Sequence, residues 1–156
     1  MKLALIIIAM AAISPALAST GANEPVRIIV ECNLSRVDNR AHKLLFGFGE
    51  TDISKAQPRS ARILDPDQLL AGKPMLSVNI DETMRPGSRY AITFGSSPNE
   101  VVALALQAIE IGAFEATLSP PRGDASPSLA GRCFMVGGEF AEYVYKRRQR
   151  GEWGTK

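Results

Sequence analysis

The chain has 156 residues, 46% of them hydrophobic and 22% charged, which suits one domain with a core of its own. Its 18 Lys and Arg nearly balance 16 Asp and Glu, so the overall charge gives no reason to expect a nucleic-acid partner. A single histidine excludes a histidine-rich metal site, and no nucleotide or other cofactor signature is present.

The first segment differs from the rest. Met1-Lys2 is followed by an unbroken apolar run from Leu3 to Ile13, a Ser14-Pro15 break and Ala16-Leu17-Ala18. Charged start, short apolar stretch and small-x-small ending make a secretory signal peptide over 1–18. The run of 11 residues is too short for a transmembrane helix, which needs roughly 20. No cysteine follows the cleavage point, so no lipid anchor is indicated. The expected address is periplasmic or secreted, with no transmembrane segment in the mature chain.

Residues 19–138 read as a β-rich domain and 139–156 as a basic C-terminal helix and tail. Pro25 to Leu34 is rich in Val and Ile and predicts a first strand. Ala41 to Thr51 follows, with Gly47 and Gly49 suggesting a bulge or a sheet edge. Ser60 to Leu64 is a short strand stopped by Asp65-Pro66-Asp67. Met75 to Ile80 and Arg89 to Phe94 alternate cleanly around a turn at Arg85-Pro86-Gly87. Between 97 and 118 two patterns compete. Ser97-Pro98-Asn99-Glu100 resembles a helix start, which would open a second helix at 98–111. The other reading is a strand Val101–Gln107, a turn, and a strand Ala113–Leu118, and the surrounding meander favours it. Ser119 to Ser128 is a proline-rich loop, Ala130 to Val136 a last strand, and Glu139 to Arg150 a helix stopped by Gly151. The fold class is therefore all-β: a small antiparallel sandwich or meander barrel of seven or eight strands with a short C-terminal helix.

Cys32 and Cys133 are the only cysteines, each inside a strand, with 100 residues between them. In an oxidising compartment such a pair forms a structural bridge, whereas redox pairs are usually close in sequence.

Candidate chemistry is sparse. His42 stands beside Lys43 and reads as solvent-exposed, and no Gly-x-Ser-x-Gly elbow accompanies it. Asp65/Asp67 and Asp81/Glu82 flank turns, where such residues cap backbone groups. Arg122-Gly123-Asp124 is a tripeptide of common residues without a context that would make it a motif. The most distinctive surface feature is Lys146, Arg147, Arg148 and Arg150, a cluster suited to an anionic envelope surface, with Tyr143, Tyr145 and Trp153 nearby. These features predict a non-catalytic binding or interaction module of the cell envelope, taking another envelope protein or a surface component through a sheet edge. The alternatives are a hydrolase using carboxylates from distant strands, and envelope attachment through the basic segment.

Overall fold

The computed structural model describes residues 25–36, 40–49, 58, 61–80 and 84–152. Residues 1–18, expected to form a signal peptide, the pair Asp81/Glu82 and Trp153 lie outside the described residues. The elements are β1 Ile28–Ser35, β2 Ala41–Phe48, β3 Arg62–Leu64, β4 Met75–Asn79, β5 Arg89–Phe94, β6 Val102–Glu110, β7 Ala113–Ser119, β8 Leu129–Gly137 and α1 Phe140–Gln149.

All eight strands join one antiparallel sheet in the order β3-β2-β1-β8-β7-β6-β5-β4. Every strand pairs with its neighbours in sequence, the first also pairs with the last, and only β3 and β4 do not meet. That is an up-and-down ring opened at one seam. In a flat sheet β2 and β5 would stand about 24 Å apart, five strand spacings. The Phe46 and Phe94 rings nevertheless pack edge-on at 5.5 Å between centroids. The sheet is therefore curled into a half-barrel. Of the two expected architectures, this is the meander, not two packed sheets.

Period-two patterning fills the interior. On β6, Val102, Leu104, Leu106 and Ala108 point inward and are buried, alternating with Ala103, Ala105 and Gln107 on the outer face. This pattern overrides the helical alternative at 98–111. Ser97 makes no side-chain cap, and Pro98–Glu100 forms only a single 3₁₀ turn before β6 begins. Alanine's helix preference is worth tenths of a kcal/mol per residue, less than burying four apolar side chains against the core. A two-residue turn at Ile111-Gly112, with Gly112 at φ 78°, then reverses the chain into β7.

Gly47 is neither bulge nor edge. β2 passes through it in unbroken register, paired to Ile29 of β1 and Arg62 of β3. A Cβ there would stand 2.5 Å from Val26 Cγ1 and 2.7 Å from Phe140 Cδ2. The glycine is the seat for the first turn of α1. That helix covers the outer face of β1 and β2, where Phe140, Tyr143, Val144 and Leu64 enclose the fully buried Ile29 and Leu45. Gly47→Val should destabilise the domain by about 1–3 kcal/mol through overpacking. Urea denaturation would measure this, with amide exchange accelerated in α1 ahead of the strands.

The bridge forms as expected. Cys32 and Cys133 are direct partners in the β1–β8 register, joined by a disulfide with 4.0 Å between their Cα atoms. Both are fully buried.

Candidate binding site at the barrel mouth

The basic segment shows first what α1 does. Glu139 caps the helix by accepting the Glu142 amide at 2.9 Å, and the cationic last turn suits the helix dipole. Arg147 turns inward. Its Nη2 lies 2.5 Å from Glu31 Oε2, its Nη1 pairs with Glu152, and its Nε donates to the Tyr143 hydroxyl at 3.2 Å. Tyr143 in turn donates to Glu31 at 2.6 Å, and its ring lies 5.3 Å from the Arg147 guanidinium carbon. Lys146 pairs with Glu142 at 2.6 Å, and Arg150 lies 3.3 Å from Glu152. Arg148 makes no ion pair among the described residues. Thus Arg147 fastens the helix to β1, while the Lys146 and Arg150 side chains stay about 60–65% exposed.

Glu31 was missed by sequence reasoning, although it is the one buried charged residue among those described. Its signal lay in β1 itself. Ile28, Ile29 and Val30 are consecutive apolar residues, so the face that carries Glu31 also carries an apolar side chain, Ile29, that needs cover.

Burial, and then hydrogen bonding to Glu31, raises the Tyr143 pKa above its ordinary 10.0. The hydrogen bond and charge of Glu31, with the bond to Tyr143, keep Arg147 protonated against the opposing effect of desolvation. Because the folded state holds the phenol proton longer, the unfolded chain ionises first. Stability should therefore fall as pH rises above about 10, less steeply in Tyr143→Phe. Phenolate absorbance of the native protein should contain a late-titrating component that Tyr143→Phe removes.

The second feature lies at the end of the barrel that holds Arg36, Arg40 and the connecting segments 65–74, 95–101 and 120–128. Asp65 behaves as its turn context predicted: its two carboxylate oxygens accept the Leu69 amide at 2.9 Å and the Leu70 amide at 2.7 Å. This ties down the loop from β3 to β4, which places Leu70, fully buried, in the core. Gln68 and Ala71 take the left-handed backbone at φ 55° and 49°, a strained conformation that the Asp65 bonds help to hold.

From the same loop, Asp67 reaches back to β2. It accepts the Lys43 amide at 3.1 Å and stands 3.5 Å from His42 Nδ1. His42 is consequently not solvent-exposed as its sequence context suggested; its side chain is 14% exposed. Nδ1 is buried and lacks a hydrogen-bond partner, the 3.5 Å approach to Asp67 not having the geometry of a bond.

His42 and Asp67 form part of the wall of a cavity of about 290 Å³. Arg36, Lys73 and Asp124 complete its polar lining, over a floor that includes Leu70, Val102, Leu118 and Leu129. Asp124 accepts the Ser126 amide at 2.8 Å. That bond and the nearby Lys73 charge hold its carboxyl below the usual range. The Arg-Gly-Asp tripeptide thus has its acid folded back onto its own loop. Among the described residues, no three His, Cys, Asp or Glu side chains converge to hold a metal, and no helix is long and apolar enough to cross a membrane.

Comparison with protein-family models, curated proteins and solved structures finds no match. The geometry defines the class: a disulfide-closed, up-and-down β half-barrel, opened between β3 and β4, with a helix fastened to its outer face. A cavity with a polar lining lies at the mouth, where a proline-rich loop and a strained loop meet.

Proposed function

We propose that the chain is an exported, non-catalytic binding domain, working in the periplasm or outside the cell, that takes its ligand at the barrel mouth. The leader pattern over 1–18 and the buried disulfide support export, since such bridges persist in oxidising compartments. The observation that carries the site is the mouth cavity, with polar side chains set over an apolar floor in the manner of small-molecule pockets. Binding is favoured over acid–base chemistry because Asp67 and Asp124 both serve as hydrogen-bond anchors for backbone amides. Asp124 is also shifted in the direction opposite to that needed by a general acid at neutral pH.

The test begins with the secreted or periplasmic fraction, where the purified chain should start at Ser19. Native mass spectrometry should show a bound small molecule that is absent from Ser126→Trp, a variant that obstructs the mouth from an exposed loop. A cytoplasmic, uncleaved chain would sink the export reading. An equal load on both proteins would sink the site.

One observation favours a second reading, strand addition by an envelope protein. Among the described residues, the β3 and β4 edges are the sheet's unpaired ones. Photo-cross-linkers at Ile63 and Leu76 should then trap the same partner, and one at Ala105 should not. Labelling of similar strength at all three positions would argue against a seam-specific contact. The exposed Lys146, Arg148 and Arg150 leave envelope attachment open to a direct assay. Replacing all three with Glu should abolish low-salt sedimentation with anionic vesicles, if that attachment exists.

A further inference from the structure

We propose that the mouth cavity selects a small amphipathic carboxylate, whose apolar body lies on the leucine-rich floor and whose carboxylate meets Arg36. This rests on the mouth being the binding site and adds the chemistry that it recognises.

The charges around the cavity are unevenly committed. Asp67 is held by the Lys43 amide and faces His42; Asp124 is held by the Ser126 amide and lies in the field of Lys73. The two acids are therefore matched by groups of the protein itself. Neither Arg36 nor Lys73 makes an ion pair among the described residues, but Lys73 acts on Asp124, so Arg36 is the lining cation without an acid of its own. A guanidinium offers a planar pair of donors that fits a carboxylate, and charge-assisted bonds of this kind are roughly twice as strong as neutral ones.

His42 supplies an independent pointer. A buried nitrogen without a partner is uncommon and calls for an explanation. Here it belongs to a largely buried imidazole in the wall of the cavity, where Nδ1 faces Asp67 without a hydrogen bond, so the wall holds a polar group that the protein leaves unbonded. The floor has the opposite character. Leu70, Val102, Leu118 and Leu129 are each no more than 5% exposed, and they offer no hydrogen bond to a polar ligand body. At about 290 Å³ the cavity sits at the lower end of the range for ligand pockets, which favours a short chain or a single ring over a drug-sized molecule.

The experiment is an amide-resolved NMR titration of the mature chain with octanoate, octanol and octylammonium, below the micellar range. Octanoate should shift amides in segments 36–43, 67–73 and 118–129. Octanol should bind about tenfold more weakly, and octylammonium should not shift these amides. Arg36→Gln should weaken octanoate about tenfold and leave octanol unchanged. Arg89→Gln, at the other end of the barrel, should alter neither. Fold integrity is read from the same spectra. If octanol and octanoate bind the mouth equally well, or Arg36→Gln has no effect, carboxylate selection is wrong while the mouth remains a site. If none of the three probes shifts mouth residues, or if shifts centre on the apolar hollow formed by Met84, Ile111 and Met135, the mouth reading itself fails.

Discussion

Replacing Cys32 and Cys133 together by alanine should lower the unfolding free energy by about 3–5 kcal/mol, a large part of what a domain of this size possesses. The expectation comes from where the bridge lies. Six of the seven strand pairings join consecutive strands, and β1–β8 alone pairs elements from the two ends of the described domain. The cysteines are 101 positions apart and occupy facing places near the middle of that pairing. Cross-linking a loop of this size is worth about 4.7 kcal/mol in the chain-entropy model. The loss of two buried sulfurs adds a packing deficit. Urea unfolding of the oxidised, reduced and double-alanine proteins separates these contributions. Reduction should account for most of the loss and should raise the denaturant slope, because the released chain exposes more surface. A loss below about 1 kcal/mol on reduction would mean that β1–β8 pairing is held by its packing alone.

The strands visible in the sequence were those whose two faces differ. Met75 to Ile80 and Arg89 to Phe94 appear as β4 and β5 within a residue of expectation, although an irregular register between Met75 and Ser77 puts Met75, rather than Leu76, in the core with Val78 and Ile80. The segment 102–110 was harder to read because Ala103, Ala105 and Ala108 carry little information about period. Only the curled sheet around it makes the inward Leu104 and Leu106 decisive. Gly47 misled for a related reason. A glycine in a strand announces close approach without saying by what, and of the two approaching side chains, Val26 and Phe140, the second lies more than ninety positions away. The mouth was the least legible feature. His42 looked exposed because Lys43 stands beside it at the start of a strand, whereas its burial depends on Asp67 arriving from the loop that spans the seam. Local patterning reports which face of a strand is dry, but not which distant loop closes over its end.

The network beneath α1 carries the second large prediction. Arg147→Met should cost about 2–3 kcal/mol, because it leaves the Glu31 carboxylate buried beneath the helix with the Tyr143 hydroxyl as its side-chain donor. The value is set below the usual range for severed buried pairs because Arg147 is about a quarter exposed, so water can partly replace it. Glu31→Met should cost less, near 1 kcal/mol, since Arg147 keeps Glu152 and some access to solvent. The double variant should return to within about 1 kcal/mol of the parent, as two apolar side chains extend the layer formed by Ile29, Leu45 and Val144. Denaturation of all four proteins gives the coupling energy directly. Single losses that simply add in the double variant would show two independent surface contacts. Strong coupling would show that the charge pair fixes α1 in place once the apolar contacts have brought it there. None of the residues of α1 is fully buried, so apolar contact alone holds the helix loosely. The ion pair supplies the position, and the Gly47 notch supplies the fit.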